Sequence, residues 1–438
     1  MLGVATASEK GRVMGKSWLL LAATALTFGA ASSALSRTPE QTADAALEAA
    51  PVWDGHNDVP IQLRARFGNV INDFNFVDTT DTGGEEGDTS WNGRVMHTDL
   101  VRLRKGKVGA QFWSVFVTTA LTEPEAVQAT IEQIDVTRRL IARYPGRMAL
   151  ALTADDVQRA MKRGRIASLI GMEGGHSIGS SLAVLRQMYA MGARYMTLTH
   201  SKNTPWADSA TDKPEHNGLT DFGQNVVREM NRIGMIVDIS HVSEATMAEV
   251  MDIAAAPVIF SHSGARVITA HPRNVPDSIL KRLPENGGIV MAVAYPSYIS
   301  DERRLWGAAV EAEAKRAEVL NPGNPVAAKT LVETWQTDHP EPVSTIAQLA
   351  DHIDHIRDVA GVDHIGIGGD YDGMATGPKS MEDVTGYPAL FTELARRGYS
   401  QSDLEKIASG NMMRVIKAVE AYASRQKNKA PIETPVPD

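Results

Sequence analysis

Eight short apolar runs, each set off from the next by a helical segment or a polar loop, limit what this chain can fold into. They begin at residues 52, 108, 166, 193, 235, 257, 289 and 364, and include VGAQFWSVFV (108–117), IASLIGMEGG (166–175), MIVDISH (235–241) and PVIFSHS (257–263). Helical spacing of apolar residues fills most of the intervals. In Glu125–Tyr144 it places Val127, Ile131, Ile134, Leu140 and Ile141 on one face, and similar segments cover Leu182–Met191, Asp221–Ile233, Glu244–Ala255, Ile279–Leu283 and Ile346–Ala360. Near-continuous apolar strands alternating with helices imply a parallel sheet covered on both faces. Eight of them predict a (β/α)8 TIM barrel. A doubly wound open sheet is the alternative, but no Gly-rich phosphate turn follows the first strand. Thr38–Ala50 reads as a short helix leading in. Two excursions read as loop insertions: Gly-, Asp- and Asn-rich Arg64–Met96, with Glu85, Glu86 and Asp88, and a polar helical stretch over Asp301–Trp335. Extra C-terminal helices start at Tyr387 and Ser402. One barrel domain is therefore expected over 38–425, followed by a polar flexible tail over 426–438.

The chain begins with an address. Lys10, Arg12 and Lys16 precede the uncharged apolar run Leu19–Ala31, and Ser32-Ser33-Ala34 supplies small residues for cleavage. Residues 1–34 are read as a signal peptide for export to a periplasmic or secreted location, with an uncleaved N-terminal membrane anchor as the alternative. The sequence has no Cys, which excludes disulfides and a lipid-modified cysteine. Without the leader, three basic residues and Glu9 are lost and the net charge moves from −9 to −11. An acidic body offers no electrostatic footprint for nucleic acid.

The strand ends carry the chemistry. His56 and Asp58, Glu173, His200, His241, His262, Tyr295 and Asp370 all stand at or near the C-terminal ends of the runs. In a barrel those ends share one mouth. An isolated His-x-Asp is better explained by a hydrogen-bonded pair closing a strand, but four of the chain's twelve His at such positions favour a site. The imidazoles and carboxylates suffice for two divalent ions, with Glu173 able to bridge them and Gly174-Gly175 leaving room. Two ions about 3.5–4 Å apart can share a hydroxide and polarise a carbonyl. The N/O donor set suits Zn2+ first, with Mn2+ or Co2+ as substitutes.

In DGHND (54–58), GMEGGHSIG (171–179), LTHSKNTPWADS (198–209), VDISHVSE (237–244), FSHSGAR (260–266), HPRNVPD (271–277) and GIGGDYDG (366–373), the sequence resembles the membrane dipeptidase (renal dipeptidase) family of zinc metallopeptidases, in the amidohydrolase superfamily. The resemblance implies a zinc-dependent exopeptidase that hydrolyses dipeptides through a metal-bridging hydroxide. It implies that His56 and Asp58 hold one zinc, that His241 and His262 hold the other, and that Glu173 bridges them. It further implies that His200 stabilises the oxyanion beside the scissile carbonyl and that Arg273 binds the substrate carboxylate. Asp370 would be the acid/base, Tyr295 a substrate contact, and the assembly a homodimer. The rival readings are another dinuclear amidohydrolase, of lactonase or amidase type, and a non-catalytic metal- or peptide-binding protein. Enzymes of the first kind commonly begin with His-x-His and use a bridging lysine, unlike this chain.

Other residues take plainer readings. His176 is read as packing, His271 as shaping the loop that presents Arg273, and His364 as structural at the start of its strand. His352 and His355 are expected on a solvated helix face. Trp206 and Asp208 are expected to order the loop after the fourth strand.

Overall fold

The computed structural model describes residues 37–84 and 93–434; the expected leader over 1–34 and Glu85, Glu86 and Asp88 lie outside the described residues. Nine strands occur among these residues: β1 (Val52–Asn57), β2 (Val108–Phe116), β3 (Met148–Leu150), β4 (Ile166–Glu173), β5 (Ala193–Thr197), β6 (Ile236–Asp238), β7 (Ile259–Ser263), β8 (Ile289–Val293) and β9 (Ile365–Gly368). All pairings between them are parallel. The sheet closes because β2 pairs with β4 along Ala110–Phe116 and β9 returns to β1 at Asp54 and Ile367. The eight expected runs are the eight barrel strands.

The ninth strand carries no sequence signal. β3 pairs only with the first three residues of β4, while β5 takes the rest of that edge from Ile170 onward. Its three residues, Met148–Leu150, are too few to show a period.

Helices fill the intervals with recognisable start signals. Thr38, Thr122 and Thr345 each form a capping box with Gln41, Glu125 and Gln348, starting helices Pro39–Ala49, Glu123–Arg143 and Ile346–Ala360. In Glu123–Arg143 the buried stripe is Ala126, Thr130, Ile134, Thr137 and Ile141. Ile131, which the periodicity places inside, is 42% exposed. Ile134, Leu140 and Ile141 are buried as the periodicity predicts, on the side that contacts β2 and β3. The insertion after β8 is two helices, Asp301–Leu320 and Pro325–Asp338, packed on one another. Arg64–Phe67, expected as loop, instead completes a helix over Val59–Phe67.

The barrel interior is filled by side chains. Trp53, Phe112, Tyr195, Ile236, Ile259 and Met291 are buried together, with Phe112 packed between Trp53 and Tyr195 at centroid distances of 5.9 and 4.8 Å. Gly171 makes this packing feasible. A Cβ there would lie 2.0 Å from the Tyr195 ring, so only glycine lets that ring cross the barrel toward β1. At the far end of the chain, helix Gln401–Glu405 continues through a π-turn over Lys406–Gly410 into Asn411–Arg425, and Asn411 donates to the Val362 and Ile365 carbonyls at 2.8 Å. Ile432 is held to the body by its N–H bond to Glu229 Oε2 at 3.2 Å.

Candidate metal centre and active site

The barrel brings the singled-out residues to one mouth. His56 lies within β1, Glu173 ends β4 and His262 lies within β7. Asp58, His200, His241, Tyr295 and Asp370 lie one to three residues beyond β1, β5, β6, β8 and β9. All but His56, which sits just beneath, line a cavity of about 610 Å³ together with Arg273.

Glu173 is the centre of the cluster. His241 Nε2 is 3.0 Å and His262 Nε2 3.5 Å from its Oε1, while His56 Nε2 is 3.5 Å from its Oε2. Asp58 Oδ2 is 3.5 Å from His56 Nε2, and the two His Nε2 atoms of His241 and His262 are 2.9 Å apart. Three sets of donor atoms converge within 4.8 Å: His56 with Glu173 and His262, Glu173 with His200 and His241, and His56 with Asp58 and Asp370. His200 and Asp370, expected in catalysis, thus stand within ligand distance as well.

Hydrogen bonds on the far side of the rings decide which nitrogen is bare. Ser261 Oγ donates to Asp238 Oδ2 at 2.6 Å, so at 2.8 Å it accepts the proton of His262 Nδ1, leaving Nε2 with a lone pair. Tyr195 Oη donates to the Gly55 carbonyl at 3.3 Å and lies 2.9 Å from His56 Nδ1. His56 Nε2 is buried, faces Asp58 and Glu173 at 3.5 Å each, and has no hydrogen-bond partner. Lone pairs aimed at carboxylates repel unless a cation lies between them. The donor set therefore fits metal ions, with Ser261 and Tyr195 beside the outer nitrogens of His262 and His56, whereas the buried Nδ1 of His241 has no partner among the described residues.

Burial pushes the His56 imidazole down, but the facing Tyr195, Glu173 and Asp58 outweigh it and hold it well above its ordinary value, so the cluster draws positive charge to the point where its carboxylates meet. Burial raises the carboxyl of Glu173, but the facing His56 and His200 outweigh it and hold it well below its ordinary value. Burial, then the negative charges of Asp58 and Glu173, push Asp370 well above its own. Burial also pushes His241 and His262 well down, toward the neutral imidazole a metal requires.

The other wall carries a buried cation. Arg273 is 1% exposed, donates to Ser263 Oγ at 3.4 Å and to the His262 carbonyl at 3.2 Å, and leaves its Nε unpartnered. It makes no ion pair among the described residues. A buried guanidinium without a counter-charge is costly unless an anion arrives. Tyr298 lies under it at 5.3 Å and stacks on Tyr295 at 4.4 Å, so both tyrosines line the cavity. His271 presents the arginine by accepting its N–H at Nδ1 (3.1 Å).

The turn after β9 is strained. Asp370 and Asp372 have φ of 60° and 66°, a region costly for residues with a side chain. Gly373 permits it: a Cβ there would lie 2.2 Å from Asp58 Oδ2. His97 and Gln62 strap the turn from outside, through Asp372.

Several contributors are not visible in the sequence pattern. Ser114 Oγ donates to Glu173 Oε2 at 3.1 Å; a lone serine in the bulky run of β2 is its one signal. Phe116 packs on His200 at 4.5 Å, and Ile61 and Thr211 complete the lining, with nothing in sequence to mark them. One expectation is corrected. His352 is fully buried, accepting the Ala265 N–H at 2.8 Å, and His355 contacts Asp277 at 2.7 Å, because their helix packs against the loop after β7 instead of facing solvent. Asp208 orders its loop by accepting the N–H groups of Glu215, His216 and Gly218, and Trp206 is buried beside it. His176 bonds the Val117 carbonyl at 3.0 Å and His364 the Gly288 carbonyl at 2.7 Å.

Comparison with known proteins adds an independent view. A family model described as membrane dipeptidase (peptidase family M19) matches residues 40–430. Dipeptidase 3 of Rattus norvegicus is 40% identical over 393 residues, covering 89% of this chain and 69% of the relative. Dipeptidase 3 of Mus musculus is 38% identical, covering 89% and 68%. Among solved structures, the probable dipeptidase PvdM from Pseudomonas aeruginosa aligns with a TM-score of 0.73 at 23% identity, covering 88% of this chain and 99% of that one. A metallopeptidase from Rhodobacter sphaeroides, liganded with a phosphinate mimic of the dipeptide L-Ala-D-Ala, aligns with a TM-score of 0.66 at 22% identity, covering 84% and 99%. At these identities the structural likeness speaks to the fold alone.

Proposed function

The chain belongs to the membrane dipeptidase family, peptidase family M19, and from that premise we propose that it is an exported dipeptidase working with two zinc ions. The observation that carries this reading is the placement, across one cavity of about 610 Å³, of a carboxylate–imidazole cluster opposite the buried Arg273, which makes no ion pair among the described residues. A substrate spanning the two must be short and must end in an anion.

In this reading His56 and Asp58 hold one ion, His241 and His262 the other, and Glu173 both. When bound, such a pair supplies Lewis acidity at the carbonyl and a water acidic enough to attack near neutral pH. The protein's own groups do the rest. Arg273 takes the free C-terminal carboxylate through its planar fork, with Tyr298 and Tyr295 walling the same end. His200, stacked between Phe116 and His241, donates to the oxygen that becomes negative as the carbonyl turns tetrahedral. Asp370 accepts the proton of the attacking water and returns it to the leaving amine, and its raised affinity for protons suits that exchange. Ser114 fixes the orientation of Glu173.

Residues 38–425 act as the single hydrolase domain in this reading, with 1–34 as its export leader and a homodimer as the working assembly. Among the described residues no helix is long and apolar enough to cross a membrane. The test is a panel of L-L, L-D and D-D dipeptides set against N- and C-blocked tripeptides, with and without added zinc. The L-D members are included because the structurally similar Rhodobacter sphaeroides enzyme binds a mimic of L-Ala-D-Ala. Zinc-dependent turnover confined to dipeptides is expected; efficient cleavage of long blocked peptides overturns the reading.

A further inference from the structure

At the opposite end of the barrel lies a second cavity, of about 260 Å³, that the proposed peptidase chemistry does not use. Its floor is apolar, made by Leu47, Leu100, Val108 and Ile166, and its rim is cationic, made by Arg104, Lys107, Arg147 and Arg165. No carboxylate lines it. None of the four cations makes an ion pair among the described residues, and the one side-chain bond of the group runs from Arg165 to the Pro145 carbonyl at 3.3 Å. In a chain of net charge −9 this concentration of unpaired positive charge stands apart.

The placement follows a pattern. Lys107 directly precedes β2, Arg147 directly precedes β3 and Arg165 directly precedes β4, so three successive strands each start from a cation on the same rim. Arg104 has a second explanation, since it sits in the last turn of helix Leu100–Lys105 and complements its C-terminal end. Lys107 has none of that kind. It follows the helix with φ of 58°, a left-handed position that favours glycine, and its backbone carbonyl takes the Val52 N–H at 2.9 Å. A residue with a long charged side chain stands where the backbone alone would select glycine.

We propose that this cavity binds a single-chain anionic amphiphile, a carboxylate or phosphate head on a short apolar body. The head is held by Lys107, Arg147 and Arg165, and the body rests on Leu47, Leu100, Val108 and Ile166. Apolar burial supplies affinity, and the guanidinium groups supply charge-assisted hydrogen bonds that select the anion.

The experiment titrates the full chain with decanoate below its micelle concentration, alongside decanol and inorganic phosphate, and reads binding by calorimetry. Saturable one-to-one binding of decanoate is expected, with decanol and phosphate each at least about tenfold weaker. The variant Lys107→Gly/Arg147→Ala keeps a backbone suited to position 107. It is expected to lose about tenfold or more in decanoate affinity with unchanged Tm and unchanged dipeptide hydrolysis. No saturable decanoate binding, or equal binding by the variant, overturns the proposal. Binding to phosphatidylglycerol vesicles without binding to monomeric decanoate also overturns it, in favour of a membrane-surface patch. Dipeptide hydrolysis is read separately, so neither conclusion depends on the other.

Discussion

His97 and Asp372 hold each other twice across 275 positions of sequence: the His97 N–H donates to Asp372 Oδ1 at 2.7 Å, and the Asp372 N–H donates to His97 Nδ1 at 3.1 Å. The turn they close carries Asp370, and both aspartates sit at positive φ. His97→Ala leaves a buried N–H without an acceptor, at a cost of about 1–3 kcal/mol. We expect kcat to fall about tenfold or more with KM changed less than about threefold, because a shift of the acid/base affects the reacting state more than binding. His97→Asn, whose amide oxygen can take the place of Nδ1, should recover most of the loss. Steady-state kinetics and thermal melts of the two variants check this; equal loss by both would mean the histidine does not work through that acceptor.

Arg273 faces the cavity and makes no ion pair among the described residues. Arg273→Ala should lower kcat/KM on dipeptides with a free C-terminus by about 10²–10³-fold, the equivalent of roughly 3–4 kcal/mol. The same change should alter hydrolysis of the amidated analogues only a few fold. Equal loss on both classes would refute the carboxylate role.

Tyr195 touches no substrate-lining surface, yet its hydroxyl lies 2.9 Å from His56 Nδ1. Tyr195→Phe removes the group that fixes the imidazole while keeping the ring over Gly171. Zinc affinity, measured by competition with a chelator, should drop about 10- to 100-fold with Tm of the metal-free protein nearly unchanged. Unchanged affinity would show that His56 needs no such partner.

His352 links stability to pH from outside the cavity lining. Burial holds its imidazole down to about 4 from an ordinary 6.5. Between these values the unfolded chain takes a proton that the folded chain refuses, so stability falls as pH drops through the window and levels off below it. By pH 5 the loss from this group is about 2 kcal/mol. In His352→Asn the amide oxygen can still accept the Ala265 N–H, and the fall between pH 7 and 5 should shrink by about that amount. Urea melts at both pH values read the difference; parallel losses in the two proteins would contradict it.

Much of the fold and of the site is legible in the amino-acid sequence. The barrel is readable because parallel strands buried on both faces leave continuous apolar runs, and eight of them recur between helical patterns. His56, Glu173, His241 and His262 are readable because charged or metal-binding residues at the ends of such runs are poor packing. What stays hidden depends on contacts between distant segments. Tyr195 has no mark in the sequence as a partner of His56, because Gly171 is what lets its ring cross to β1. His352 reads as solvated because its acidic neighbours suggest a polar face, whereas the packing of the Ala265 loop decides otherwise. The strap from His97 to Asp372 leaves no local mark at all.

Whether Glu173, His56, Asp58, His241 and His262 make one two-ion centre that hydrolyses dipeptides is decided by a zinc titration of the metal-free chain with dipeptide turnover followed at each addition. Two zinc ions per chain are expected, with turnover rising to its maximum as the second is bound and Glu173→Ala losing both tight binding and turnover. Two ions bound without turnover, or full turnover in Glu173→Ala, would contradict it.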